Sequence, residues 1–126
     1  MEKTIPFSSF DHHNLIIREV TEADLPALEW EGEFIQYRRM FANLFKESQI
    51  GRTLHWVVTL PEGELLGQAF VMLKSSEKEA ADGRSRAYVF AFRVKPAWRN
   101  CGIGEYLMQF VESDLRNRGF NFITLN

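Results

Sequence analysis

A short glycine-containing loop precedes an amphipathic run near the end of the sequence. It comprises the residues Arg99, Asn100, Cys101, Gly102, Ile103 and Gly104. A helix N-terminus leaves backbone N–H groups without acceptors and carries partial positive charge, and glycine lets the backbone approach a bulky anion. An arginine adds a cation with fork geometry. This combination indicates a phosphate-binding loop, although a loop with so few glycines is also compatible with a plain strand-to-helix turn.

The spacing of this loop differs from that of the two common nucleotide-binding loops. The dinucleotide fingerprint needs a third glycine, and the P-loop ends in Gly-Lys followed by Ser or Thr. The run Arg99–Gly104 has neither feature. The anion is therefore expected to belong to a different kind of ligand.

The segments on either side of the loop have the patterns of a strand and a helix. Arg86–Lys95 alternates as a strand does, and Pro96 ends it. One side of this strand is predicted to carry Tyr88, Phe90, Phe92 and Val94. After the loop, one helical face carries Ile103, Leu107, Phe110, Val111 and Leu115. Gly119 fits the end of this helix and Phe120–Leu125 a last strand, so the unit predicts a parallel pair.

The N-terminal part of the sequence predicts a strand and two helices. Asn14–Val20 has the composition of a strand, and Thr21 with Asp24 has the spacing of a helix start. A second, amphipathic helix is predicted from Glu33 to about Ile50. Its apolar residues recur at helical spacing and are Phe34, Tyr37, Phe41, Leu44 and Phe45.

A β-hairpin is predicted between these helices and the loop. The runs Thr53–Leu60 and Leu65–Lys74 have strand patterns, and the residues Pro61–Glu64 between them favour a turn. The whole order is then β-α-α-β-β-β-α-β. This order predicts an α/β fold with a mixed sheet.

The composition is that of one globular domain over residues 1–126, with Met1–His13 as a loosely held arm. The formal net charge is -2 and no apolar run approaches the length of a membrane span, so neither nucleic acid nor membrane is an expected partner. A single cysteine and the lack of a signal pattern favour the cytoplasm. The adjacent His12 and His13 lack metal-ligand spacing, so no metal is expected.

The motif V-x-P-x-x-R-x-x-G-I-G, which begins at Val94, resembles the acetyl-CoA-binding core of the GNAT family of acyltransferases. The resemblance covers about Asn14–Asn126 in element order and is specific over Arg86–Asn126. It implies a GNAT-like acyl-CoA N-acyltransferase fold. It also implies direct transfer of an acetyl group from acetyl-CoA to an amine of a small molecule or peptide.

The resemblance implies roles for the loop and for the strand before it. The backbone N–H groups of Arg99–Gly104 would hold the pyrophosphate of CoA. In the family the strand end pairs through its backbone with the pantetheine arm, and here those positions are Phe92, Arg93 and Val94. A backbone N–H on this strand would polarise the thioester carbonyl.

The catalytic base and acid stay unassigned. The usual base is a carboxylate or an ordered water near the strand, and Arg86–Lys95 contains no Asp or Glu. Water, or one of the residues Glu29, Glu31 and Glu33, would then accept the proton. Candidate acceptor-binding residues are Glu31, Glu33 and Tyr37, although such glutamates are often only solvated and Tyr37 has the spacing of a core residue.

The family normally continues beyond the point where this sequence ends, at Asn126. A further helix, which carries a tyrosine acid in many relatives, and one or two strands would follow, so a C-terminally truncated fold is expected. The last strand is then an exposed apolar edge that favours a homo-oligomer, unless the arm Met1–His13 covers it. A second interpretation is a catalytically silent module that binds CoA or a protein partner.

Overall fold

The computed structural model describes residues 14–76 and 80–125, so the predicted arm Met1–His13 lies outside the described residues. A five-stranded sheet forms the centre, with its strands in the order β1-β2-β3-β4-β5. These strands are β1 (Ile16–Glu19), β2 (Thr53–Thr59), β3 (Leu65–Met72), β4 (Arg86–Val94) and β5 (Phe122–Leu125). Strands β1 to β4 pair antiparallel, whereas β4 and β5 are parallel. The predicted mixed sheet and order of elements are confirmed.

Helices cover both faces of this sheet. Helix α1 (Arg38–Gln49) packs on one face together with the 3₁₀ helix Glu22–Glu29, and α2 (Ile103–Asn117) packs on the other. Every residue of β2 is buried, because the strand lies between the two helical layers. The predicted face of α2 is buried at Ile103, Leu107, Val111 and Leu115. No helix in the part of the chain that the structure describes is long and apolar enough to cross a membrane.

The first predicted helix begins where expected but has 3₁₀ geometry. The carboxylate of Asp24 accepts the Thr21 N–H at 2.7 Å, and the guanidinium of Arg18 donates to both oxygens of the same carboxylate at 2.7 and 2.9 Å. Pro26 lies inside this helix and has no N–H to donate. The start is therefore fixed by a side chain, while regular α-helical bonding is interrupted.

The second predicted helix begins later than its apolar spacing indicates. Trp30, Glu31 and Gly32 have positive φ values of 48°, 58° and 95°, which a right-handed helix excludes. A 3₁₀ turn at Ile35–Tyr37 follows, and α1 starts only at Arg38. The predicted start at Glu33 is wrong, because a left-handed segment and a 3₁₀ turn take the place of the first α-helical turns.

A bulge in β4 changes which side chains share a face of the sheet. Ala91 has a φ of 49°, and the register with β3 shifts by one residue at this point. Phe92 and Val94 consequently pack with the α2 layer, whereas Phe90 packs with the α1 layer. The predicted face of Tyr88, Phe90, Phe92 and Val94 is wrong, because one inserted residue reverses the alternation of a strand.

Candidate active site

The predicted anion-binding loop connects β4 to the first turn of α2. Asn100 and Gly102 have positive φ values of 62° and 84°. Left-handed residues in such turns direct neighbouring N–H groups toward one concave side, an arrangement that suits anions. The N-cap of α2 is Gly102, which has no side chain to cap the helix. The N–H groups of the first turn therefore have neither an intrahelical nor an N-cap side-chain acceptor.

Arg99 stands exposed beside this loop and is anchored to the end of β4. Its Nε donates to the carbonyl of Val94 at 3.0 Å. None of the ion pairs between described residues includes Arg99. Because the anchor uses a single N–H donor, the donors on the two terminal nitrogens remain for an external anion.

Cys101 and Gly104 shape the loop through packing. Cys101 is buried, and its Sγ donates to the carbonyl of Arg99 at 3.5 Å. A Cβ on Gly104 would lie 3.6 Å from the Phe92 ring and 3.8 Å from a Val94 methyl carbon. The first turn of α2 thus lies close to β4, with room for a methyl group on Gly104, and this places the loop beside the strand end.

The second half of β4 has a free edge next to this loop. Strand β5 pairs with β4 only over Arg86–Val89. The N–H of Lys95 donates to the Leu66 carbonyl at 2.8 Å, on the β3 side. Backbone groups alternate along a strand, so those of Phe92 and Val94 face the opposite edge. Among the described residues no strand occupies this edge, and an extended ligand can add to it as a strand does.

On the α1 face, aromatic residues cover the end of β4. The Cζ of Arg93 lies 4.6 Å from the Phe34 ring centroid and 5.8 Å from that of Tyr37. The Nζ of Lys95 lies 6.0 Å from the Trp30 ring centroid. Tyr37, a predicted acceptor-binding residue, therefore lies beside the strand that carries the free edge.

The three glutamates of the predicted acceptor region have different surroundings. Both carboxylate oxygens of Glu29 accept hydrogen bonds from Arg38, at 2.8 and 2.9 Å, and this pairing lowers the pKa of Glu29. A carboxylate held in its charged form by a cation is a weak proton acceptor. Glu31 and Glu33 are both exposed, and they lie within or next to the left-handed segment that precedes α1.

A buried polar pair lies on the same face of the sheet. The Nε2 of His55 donates to the Oε1 of Gln68 at 2.8 Å, and the imidazole stacks on Phe70 with ring centroids 3.7 Å apart. Burial lowers the pKa of His55 to about 4, so the ring is neutral at pH 7. Gln68 on β3 is paired in register with Arg93 on β4. The pair His55–Gln68 therefore lies next to the part of β4 that has the free edge.

The two tyrosines outside the acceptor region, Tyr88 and Tyr106, have packing roles. Tyr106 of α2 packs against the core, and Tyr88 of β4 stacks on Phe90 with ring centroids 5.3 Å apart. Within the described residues, no group of three or more His, Cys, Asp or Glu side chains is arranged to hold a metal. His12 and His13 lie outside the described residues.

The sequence indicated only a backbone role for Arg93 and no functional role for Lys95 and Gln68. The sequence does indicate that Arg93 and Lys95 lie on one face, because alternate residues of a strand point to the same side of a sheet. Their aromatic neighbours were not predictable, because Trp30 and Phe34 reach β4 only through the left-handed turn that precedes α1.

Comparisons with known proteins agree with this fold. The sequence profile of the acetyltransferase (GNAT) family matches residues 17–126. The chain therefore belongs to the GNAT family of acetyltransferases. A search of curated proteins gives no match.

Solved structures with this fold include several acetyltransferases. One from Trypanosoma brucei has a TM-score of 0.68 at 23% identity, covering 89% of this chain and 82% of that one. AAC(6')-Iy, solved with the bisubstrate analogue CoA-S-monomethyl-acetylneamine, has a TM-score of 0.68 at 16% identity, with 89% and 78% covered. Glucosamine-6-phosphate N-acetyltransferase from Arabidopsis thaliana has a TM-score of 0.64 at 15% identity, with 89% and 81% covered. At these identities the likeness concerns the fold.

Proposed function

We propose that this protein transfers an acetyl group from acetyl-CoA to a primary amine. One observation carries the proposal: the N-terminus of α2, whose N-cap Gly102 has no side chain, lies directly beside the free edge of β4. A site for a phosphate at the helix N-terminus would thus continue directly into a site for an extended chain along the strand edge. CoA has both parts in this order, a pyrophosphate and a pantetheine arm.

The loop and the strand end would divide the recognition of CoA. The N–H groups of Asn100–Gly104 and the guanidinium of Arg99 would bind the pyrophosphate. The backbone N–H of Arg99 would take no part, because it donates to the Pro96 carbonyl at 3.3 Å. The backbone groups of Phe92 and the N–H of Val94 would pair with the pantetheine amides, whereas the Val94 carbonyl already accepts from Arg99. Arg93, whose backbone groups face the same side as those of Lys95, pairs with β3 instead and would contribute to the site through its side chain.

The proposed transfer is direct. The amine nitrogen attacks the thioester carbonyl carbon, the C–S bond breaks, the nitrogen loses one proton and the CoA thiolate gains one. A backbone N–H near the bulge at Ala91 would stabilise the oxyanion. Because β4 contains no Asp or Glu, water or an exposed glutamate, Glu31 or Glu33, is the proposed proton acceptor.

The acceptor and the compartment are separate parts of the proposal. AAC(6')-Iy was solved with an analogue built on acetylneamine, and the Arabidopsis enzyme is named for glucosamine 6-phosphate, so this fold accommodates different amines. We propose a small-molecule or peptide amine as acceptor here. The single cysteine favours the reducing cytoplasm.

A ligand titration followed by product analysis tests this function. Acetyl-CoA at about 100 times its dissociation constant is expected to stabilise the native state by about 2.7 kcal/mol, which thermal unfolding detects. A pantetheine fragment without phosphates is the control and should stabilise less. Mass spectrometry of an amine library incubated with acetyl-CoA should then show acetylated products. Absence of stabilisation at millimolar acetyl-CoA contradicts the proposal, and binding without any product supports the silent CoA-binding module instead.

A further inference from the structure

Two cations project from the end of β4 toward the α1 face, on the side where the predicted acceptor residues lie. Arg93 and Lys95 are alternate residues beyond the bulge, so their side chains share this face. The Cζ of Arg93 lies 4.6 Å from the ring centroid of Phe34, and the Nζ of Lys95 lies 6.0 Å from that of Trp30. Aromatic faces of this kind hold a cation in place without neutralising its charge.

Neither cation has a carboxylate partner among residues 14–76 and 80–125. The ion pairs there involve other cations, namely Arg18, Arg38, Arg52 and Arg118. Glu29, the acidic residue of this region that is partly buried, is already bound by Arg38. Two positive charges therefore remain uncompensated within the described structure.

These charges lie next to the place where the acetyl group would be transferred. Arg93 stands between Phe92 and Val94, whose backbone groups line the free edge, and neighbouring residues of a strand are about 3.3 Å apart. A guanidinium fork matches the two oxygens of a carboxylate or phosphate, and a lysine adds a point charge. Nearby cations also lower the pKa of an ammonium group, which favours the neutral amine needed for attack.

We propose that Arg93 and Lys95 bind the carboxylate or phosphate of an anionic amine acceptor. This inference rests on the proposed acetyl transfer and adds the class of acceptor to it. The aromatic rings of Phe34 and Trp30 hold the cations in place, and the bulge at Ala91 turns their side chains to the acceptor side. An acceptor of this class carries its amine and its oxyanion within one small molecule or at one end of a peptide.

Paired acceptors test the proposal through a ratio of rates. Each α-amino acid is compared with its amide, and each amino sugar 6-phosphate with the free amino sugar, using acetyl-CoA as donor. In the wild-type protein, kcat/KM for the anionic member of the productive pair should exceed that of the neutral member by about ten- to hundredfold. The pair that shows this difference identifies the oxyanion as a carboxylate or a phosphate.

Variants of Arg93 test whether this residue causes the preference for anionic acceptors. Arg93→Gln should reduce the ratio to about one, and Arg93→Lys should restore part of it, because a lysine keeps the charge without the fork. Arg116→Gln removes an equal charge from the exposed last turn of α2 and should leave the ratio unchanged. Intrinsic differences in amine reactivity cancel when the ratios of two variants are compared. Equal rates for anionic and neutral acceptors, or a ratio that Arg93→Gln leaves intact, would overturn the inference.

A binding measurement separates this inference from the proposed transfer. N-acetylated amino acids and their amides are titrated calorimetrically into the protein saturated with CoA, together with an N-acetylated amino sugar and its 6-phosphate. If no amine is acetylated, preferential binding of the anionic compounds that is lost in Arg93→Gln still supports an anion site. Binding without preference for the anion overturns the site even if CoA binds normally.

Discussion

At the residue scale, the two glycines of the loop have different reasons to be glycine. Gly102 has a φ of 84°, whereas Gly104 lies in the first turn of α2 with room for a methyl group. We expect Gly102→Ala to lower the free energy of unfolding by about 1–2 kcal/mol. Gly104→Ala should leave it unchanged or raise it by up to about 1 kcal/mol. Urea denaturation measures both, and equal destabilisation by the two changes would contradict this distinction.

Arg99 is the residue whose charge should matter most for CoA. We expect Arg99→Ala to weaken CoA binding by about 1.5–3 kcal/mol, because a charge-assisted contact with the pyrophosphate is lost. The loss should be smaller for a pantetheine fragment without phosphates. Calorimetry of both ligands measures the difference, and Arg116→Ala, at the far end of α2, serves as the matched control. Equal losses for the two ligands would place Arg99 away from the phosphates.

The buried imidazole of His55 predicts a pH dependence of stability. Its pKa is lowered from 6.5 to about 4, so between these pH values the unfolded chain binds more protons than the native one. Stability therefore falls as the pH falls through this window. We expect the free energy of unfolding to be lower by about 2–3 kcal/mol at pH 4 than at pH 7.

Denaturant titrations at several pH values test this dependence, and His55→Gln provides the comparison because it lacks a titrating ring. The slope between pH 4 and 6.5 should be smaller in this variant. The carboxyls of Asp24 and Asp82 have lowered pKa values, so the stability they contribute is lost only below about pH 4. An unchanged slope in His55→Gln would show that other groups cause it.

At the element scale, the bulge of β4 determines what the strand presents on each side. Ala91 adopts a left-handed conformation, which glycine tolerates and a β-branched residue resists. Ala91→Gly is expected to keep or raise the free energy of unfolding, whereas Ala91→Val should lower it by about 2 kcal/mol or more. The valine variant should also bind acetyl-CoA less tightly, since a straightened strand would change which backbone groups face the free edge.

Urea denaturation and calorimetry on the two variants of Ala91 measure these effects. The glycine variant is the control, because it changes the side chain without opposing the left-handed conformation. If valine at this position were as stable as glycine and bound acetyl-CoA equally well, the bulge would not be needed for the site.

At the scale of the whole molecule, the edge strand β5 exposes apolar side chains. Phe122 is 56% and Leu125 is 64% exposed, whereas Ile123 packs against the core and is unsuitable for a surface test. An edge of this kind favours pairing with another chain, so we expect a dimer or larger assembly. Leu125→Lys should weaken this assembly because a charge opposes edge-to-edge pairing.

Light scattering over a range of protein concentrations measures the assembly. Ile50→Lys is the matched control, because Ile50 is 65% exposed and lies outside the sheet. A monomer at high concentration in both the wild type and Leu125→Lys would remove the edge-pairing hypothesis.

The sequence by itself determined the order of the elements and the position of the loop before α2. The spacing of Ile103, Leu107, Val111 and Leu115 is a local periodic pattern, and the structure buries all four. The same holds for the hairpin and for the strand–helix–strand unit, whose parallel pairing follows from the helical connection between the two strands. These features depend on neighbours in the chain, so the sequence alone was enough to predict them.

Only the tertiary structure decided how these elements present the site. The bulge at Ala91 arises from pairing with β3, and a single extra residue reverses the faces of Phe92 and Val94 relative to the predicted alternation. The left-handed segment Trp30–Gly32 likewise follows from packing against the sheet, and it brings Phe34 over Arg93. Periodicity carries no information about an inserted residue or a left-handed segment. The free edge and the side chains beside it were therefore visible only once the strands were paired.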